Sequence, residues 1–166
     1  MMAILRRILM ATDFSDYSKE ALDHAVYLAK KIGAEIYLFH VFEQPVYNPA
    51  ASSRIGAGNI VVLEWIKAVR EKERRKLMAL AKEVGRKGIK VHPILKEGIP
   101  FYEILRSAEE TSADLIVLGT QGRTGLDRFM MGSVAERVAQ KAPCPVYVVR
   151  PKARAAIKKR KRAGPD

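Results

Sequence analysis

Short apolar runs alternate with stretches of helical period along almost the whole chain. That alternation restricts the fold more than any single motif. The runs are Arg7–Thr12 (RILMAT), Glu35–Phe42 (EIYLFHVF), Ile89–Leu95 (IKVHPIL), Asp114–Gly119 (DLIVLG) and Pro145–Arg150 (PVYVVR). Each has the length of a strand and is apolar on both faces, as in a sheet covered on each side. Between the first two, Ser15–Ile32 places Leu22, Ala25, Val26 and Ala29 on one helical face. Ser15 or Ser18 can cap its start, and Gly33 follows its end. A long helix is predicted over Val61–Arg86, a third from Pro100 at a first-turn position to about Thr111, and a fourth over Ser133–Lys141. Strands that alternate with helices form a mostly parallel sheet with helices on both faces, a three-layer α/β domain. Such sheets bind ligands beyond the carboxyl ends of their strands, at a topological switch point.

The chain has 166 residues, enough for one domain that buries roughly 68–70% of its unfolded surface. Cys144 is the sole cysteine, so neither an internal disulfide nor a multi-cysteine zinc site is available. That fits a reducing cytoplasm, the expected location. No apolar stretch approaches the ~20 residues of a membrane-spanning helix. The opening MMAILRRILMATDF has the look of a short signal peptide. Asp13 breaks the apolar run and a helical pattern follows, so it is read as a first strand. Net charge is +12, and residues 151–166 carry seven Lys or Arg against one acid, which is +6 or half of it. The chain therefore divides into a domain over 1–150 and a basic tail over 151–166. The tail is either a solvated, disordered segment or an electrostatic contact for nucleic acid, anionic lipid or an acidic partner. Its KKRKR run holds no aromatic residue, so any binding to nucleic acid would be nonspecific.

The fourth strand runs into GTQGRTGLDRFMMGS and then into a helix. Glycine lets a ligand approach the backbone, and the N–H groups of a helix start carry partial positive charge. Together they suit an anion, phosphate above all, with the Ser133 hydroxyl as a further donor. A flexible connection with a Gly/Ser helix cap explains the same composition. The segment is neither a Walker P-loop, which needs GxxxxGK followed by Ser or Thr, nor a Rossmann GxGxxG.

The spacing is Gly119-x2-Gly122-x9-Gly132-Ser133. It resembles the nucleotide-binding motif of the universal stress protein family. The wider segment DLIVLGTQGRTGLDRFMMGSVAERVAQKAPCPVYVVR is similar to that family's C-terminal signature. ILMATDFSDYSKEALDHAVYLA is similar to its first strand, acidic turn and helix. The likeness covers roughly residues 4–150. It implies a five-stranded parallel sheet in the order 3-2-1-4-5, a homodimer, and ATP as ligand where the glycine motif is intact. By position, Thr12 and Asp13 would contact the adenosine end, and the Val41 backbone would bond adenine. Gly119 and Gly122 would lie against ribose and phosphate; Gly132, Ser133 and the Val134 amide would hold the phosphates, with Arg123 adding charge. Mg or Mn would be carried on the phosphates rather than by protein side chains. The dimer is expected through the edge strand Pro145–Arg150.

Other residues are assigned to packing. Asp13 could also merely end its strand and cap a helix. His24, His40 and His92 lack metal-ligand spacing and are expected on the surface or in the core. Cys144, Trp65, Met130 and Met131 are read as packing residues. No Ser/His/Asp arrangement can be placed in one site. The expected function is nucleotide-controlled conformation or partner binding in a stress response. A weak ATP hydrolase or phosphotransferase is the alternative, since phosphoryl transfer needs an oriented water and charge stabilisation that the motif does not supply. A nucleic-acid-binding module acting through the tail is a third.

Overall fold

The structure, a computed structural model, describes residues 5–44, 58–121 and 131–150. The Tyr47–Asn59 loop, Gly122 and Arg123 of the glycine motif, and the basic tail lie wholly or largely outside these residues. The elements are β1 (Arg7–Ala11), α1 (Asp16–Ile32), β2 (Glu35–Phe42), α2 (Gly58–Gly85), β3 (Val91–Glu97), α3 (Pro100–Glu110), β4 (Leu115–Gly119), α4 (Ser133–Lys141) and β5 (Val146–Val149). The strands form one five-stranded sheet in the order β3-β2-β1-β4-β5, and every pairing is parallel.

Successive residues of a strand point to opposite faces, and β1 sorts its side chains accordingly. Ile8 and Met10 join a core with Ala21, Leu22 and Ala25 of α1 and Leu77, Ala81 and Val84 of α2. Leu9 joins the other core, with Ile104 and Ala108 of α3 and Ala135 and Val138 of α4. Helices thus cover both faces, α1 and α2 on one, α3 and α4 on the other. The chain steps outward from β1 to β2 and β3, then crosses back to β4 beside β1 and continues to β5. Right-handed crossovers change face when the direction of travel reverses, which accounts for the division of helices. The reversal falls between β1 and β4, so that is the switch point.

Local signals explain most element ends. The Ser15 side chain accepts a hydrogen bond from Ser18 N–H at the start of α1. Gly33, at φ 70°, closes that helix with its N–H donating to the Ala29 carbonyl. β1 stops one residue before the predicted Thr12, because the chain has begun to turn there and the Thr12 hydroxyl accepts from Phe14 N–H. β3 runs Val91–Glu97 rather than Ile89–Leu95. Lys96 and Glu97 are polar, yet they pair with Val41 and Phe42, so the ladder outlasts the apolar pattern. No helix among the described residues is long and apolar enough to cross a membrane.

Candidate functional site

A cavity of about 330 Å³ opens at the switch point, beyond the carboxyl ends of β1, β2 and β4. That is at the lower end of the range for small-molecule sites. Its wall includes Thr12, Asp13, Val41, Gly119, Gly132, Ser133 and Val134. Seven of the nine residues assigned from the sequence thus meet in one place, although more than 100 positions separate Thr12 from Gly119. Gly122 and Arg123 lie outside the described residues.

The β1 side is a tightly bonded turn. Thr12 N–H donates to the Phe39 carbonyl at 2.8 Å, and the Thr12 and Ser18 hydroxyls lie 3.0 Å apart. The next residue, Asp13, accepts from Ser15 N–H at 3.0 Å and from the Ser15 hydroxyl at 2.5 Å. Phe14 adopts φ 64°, a left-handed conformation that costs a non-glycine residue about 1–2 kcal/mol. The network around it holds that strain, and the turn places the Asp13 carboxylate on the cavity wall.

β2 contributes an exposed stretch of backbone. In a parallel ladder, alternate residues direct both N–H and C=O toward the same neighbour. The Phe39 carbonyl faces β1, where Thr12 N–H meets it, and the Phe42 carbonyl faces β3, where Gly98 N–H meets it. Val41 therefore directs its backbone groups the same way as Phe39. By then β1 has turned aside, so these groups face the cavity.

The opposite wall is the start of α4. Gly132 is its N-cap, and Gly132 N–H donates to the Thr120 carbonyl at 2.7 Å. That amide is already engaged. The donors offered to a ligand are those of the first turn, at Ser133, Val134 and Ala135, which have no intrahelical acceptor. Both described motif glycines also have a packing reason. A Cβ on Gly119 would lie 3.1 Å from the Tyr17 carbonyl oxygen, and one on Gly132 would lie 3.2 Å from that of Thr120.

His40, assigned by sequence only to surface or core packing, is buried on this wall. Its Nδ1 is 2.7 Å from the Thr12 carbonyl and its Nε2 is 2.9 Å from Glu73 of α2. Its ring lies 4.4 Å from that of Phe14. Both ring nitrogens thus lie within hydrogen-bond distance of an oxygen atom. This ties the acidic turn to α2. Glu43 and Glu73 join Asp13 in the lining, whereas α4 presents amides, so the cavity has an acidic side and an electropositive side. Sequence reading passed over His40 and Glu73 because 33 residues separate them. Their only sequence signal is a polar residue within the apolar run of β2. Among the described residues, no group of three or more His, Cys, Asp or Glu side chains could hold a metal. Cys144 packs beside the second core; burial first, then the nearby Asp114, pushes its thiol up, unlike an activated nucleophile.

Comparison with known proteins shows the family and the fold. The model of the universal stress protein family matches residues 5–150. Universal stress protein MJ0531 of Methanocaldococcus jannaschii is 39% identical over 147 residues, covering 89% of this chain and 83% of that protein. The solved structure of MJ0577, from the same organism, superposes with a TM-score of 0.75 at 31% identity, covering 90% of this chain and 99% of the other. The fold is also shared with an Archaeoglobus fulgidus universal stress protein solved in complex with dAMP, at a TM-score of 0.56, 24% identity and coverage of 88% and 98%. With its fold, its motif spacing and a match over residues 5–150, the chain belongs to the universal stress protein family.

Proposed function

We propose that the cavity binds an adenine nucleotide, ATP in particular, and that occupancy controls conformation or partner binding in a stress response. The observation that carries this is the polarity of the cavity. Asp13 suits the hydroxyls of a ribose and would repel phosphate. The first turn of α4 and the Ser133 hydroxyl suit phosphate and offer little to a ribose. A ligand that spans both sides has a sugar at one end and phosphates at the other. The Val41 backbone supplies a donor and an acceptor for the edge of a base. The dAMP complex of the A. fulgidus protein supports the adenine assignment, because that protein shares this fold. Mg or Mn would travel on the phosphates. Phosphoryl transfer needs an oriented water and charge stabilisation that the glycine motif does not itself supply, so the reading is binding rather than hydrolysis.

The remaining parts of the reading concern location and assembly. We place the protein in the cytoplasm and assign its dimerisation to the free edge of β5. We treat 151–166 as a tail separate from the nucleotide site.

Calorimetry with ATP, ADP and adenosine, with and without Mg²⁺, tests the proposal. ATP should bind far more tightly than adenosine. At ligand about 100 times Kd the gain is roughly 2.7 kcal/mol, which at about 2–4 °C per kcal/mol raises Tm by roughly 5–11 °C. Absence of ATP binding by folded, ligand-free protein overturns it. Product formation in a single turnover would move the assignment to a hydrolase.

A further inference from the structure

α2 is far longer than the strands it covers, and it packs over only part of its length. Its fully buried residues begin at Leu77; none occurs among the described side chains from Val61 to Lys76. At 3.6 residues per turn, Leu77, Ala81 and Val84 define the side facing the sheet, and the opposite side forms a single line. That line runs Val61, Trp65, Ala68, Lys72, Arg75, Ala79, Lys82, Arg86, and every one of these residues is exposed. Its first part is apolar, with Val61 67% and Trp65 53% exposed. Its second part, from Lys72 on, is cationic apart from Ala79. The acids nearby are engaged by other bases: Glu64 by Lys67, Glu71 by Arg74 and Glu83 by Lys87. Lys72, Arg75, Lys82 and Arg86 form no ion pair among the described residues.

We propose that this outward face of α2 docks on an anionic phospholipid surface. The line is about 38 Å long, from about 1.5 Å per residue. A helix lying flat on a bilayer can use both of its parts, the apolar residues at the acyl boundary and the cations against headgroups. Duplex nucleic acid would use only the cations and gives no role to exposed valine beside tryptophan. A second copy is disfavoured because two such faces would oppose like charges. The surface lies on the far side of α2 from the cavity, so the inference stands independently of the nucleotide reading.

Trp65 is the chain's sole tryptophan, so emission excited selectively in tryptophan reports on this face. The full-length protein is mixed with phosphatidylcholine vesicles with and without phosphatidylserine, and co-sedimentation and Trp65 emission are recorded. The expected result is co-sedimentation and a blue shift only with phosphatidylserine. The full-length K72E/R75E/K82E variant should lose at least tenfold in partition, since each cation contributes about fivefold. These substitutions are all exposed, and the variant's thermal melt confirms folding. Absence of a shift with phosphatidylserine overturns the proposal, as does an equal shift with neutral vesicles. A smaller loss in the variant also overturns it and leaves the tail as the binding element. Binding to duplex DNA with none to vesicles assigns the face to nucleic acid instead. Protection of Trp65 from a soluble quencher in the lipid-free protein would show the face already covered, and the proposal would fail.

Discussion

At the residue scale, the described motif glycines answer a packing constraint that exists apart from any ligand. Gly119 lets the end of β4 approach the backbone of Tyr17 in α1, a contact present whether or not a ligand is bound. Gly119→Ala should therefore destabilise the ligand-free protein by about 1–3 kcal/mol, the usual cost of overpacking. Urea denaturation checks this, and an unchanged midpoint with an unchanged slope would show that Tyr17 gives way freely. Glycine spacing alone thus leaves nucleotide binding and helix–strand packing undivided; the proposed binding reading rests on the Asp13 turn and the α4 start as well. His40 shows why part of the site was hidden in the sequence. Its partners, Thr12 and Glu73, come from β1 and α2, and no local pattern joins the three. Val41 was assigned by resemblance alone. The physical reason for its cavity-facing backbone is that β1 ends at Ala11, a limit that no local pattern around Val41 marks.

At the element scale, ends set by local chemistry were legible and ends set by pairing were not. β2 and α4 match their predicted limits, Glu35–Phe42 and Ser133–Lys141, because an apolar run and a Gly-Ser start mark them in the sequence itself. β3 is displaced by two residues because its limits depend on β2. α2 begins three residues before the predicted Val61, where the sequence offers no apolar repeat. The end of α3 contains a testable mismatch. Ser112, just past the helix, is exposed and held at φ 49°. Glycine there would remove about 1–2 kcal/mol of strain against about 0.5–1 kcal/mol of added chain entropy. Ser112→Gly should stabilise the protein by about 0.5–1 kcal/mol. Gly33→Ala, at φ 70° with open space around it, should destabilise by a similar or larger amount. Paired denaturation curves should move in opposite directions; movement of both in one direction would contradict the assignment of left-handed caps.

At the scale of the whole molecule, the sheet ends on one side at β5. Pro145 and Val149 direct their carbonyls to the N–H groups of Ile116 in β4 and of Thr120 just past it. By alternation, Val146 and Val148 direct their backbone groups outward. Tyr147 is held on the α1 side by a 2.8 Å bond to His24. An edge of this kind is open to a second chain, and a two-fold axis would let each copy satisfy the other. Val148→Pro removes an outward donor without touching the β4 ladder, so it should convert a dimer to a monomer that still binds ATP. Sedimentation equilibrium measures this. A wild-type monomer at micromolar concentration, with and without ATP, would rule out the edge as a dimer contact.

The position of β1 between β2 and β4 has a consequence during synthesis. β2 leaves the ribosome soon after β1, but β4 follows roughly 100 residues behind β1, a delay of about 5–20 s at about 5–20 residues per second. Throughout that interval one side of β1, later the central strand of the sheet, is an open template for any other extended chain. The wall formed by β4 and α4 does not yet exist, so no nucleotide can help to close it. Nascent chains halted before Leu115 are accordingly the species most in need of a chaperone, and ligand can stabilise only chains that have already passed that danger.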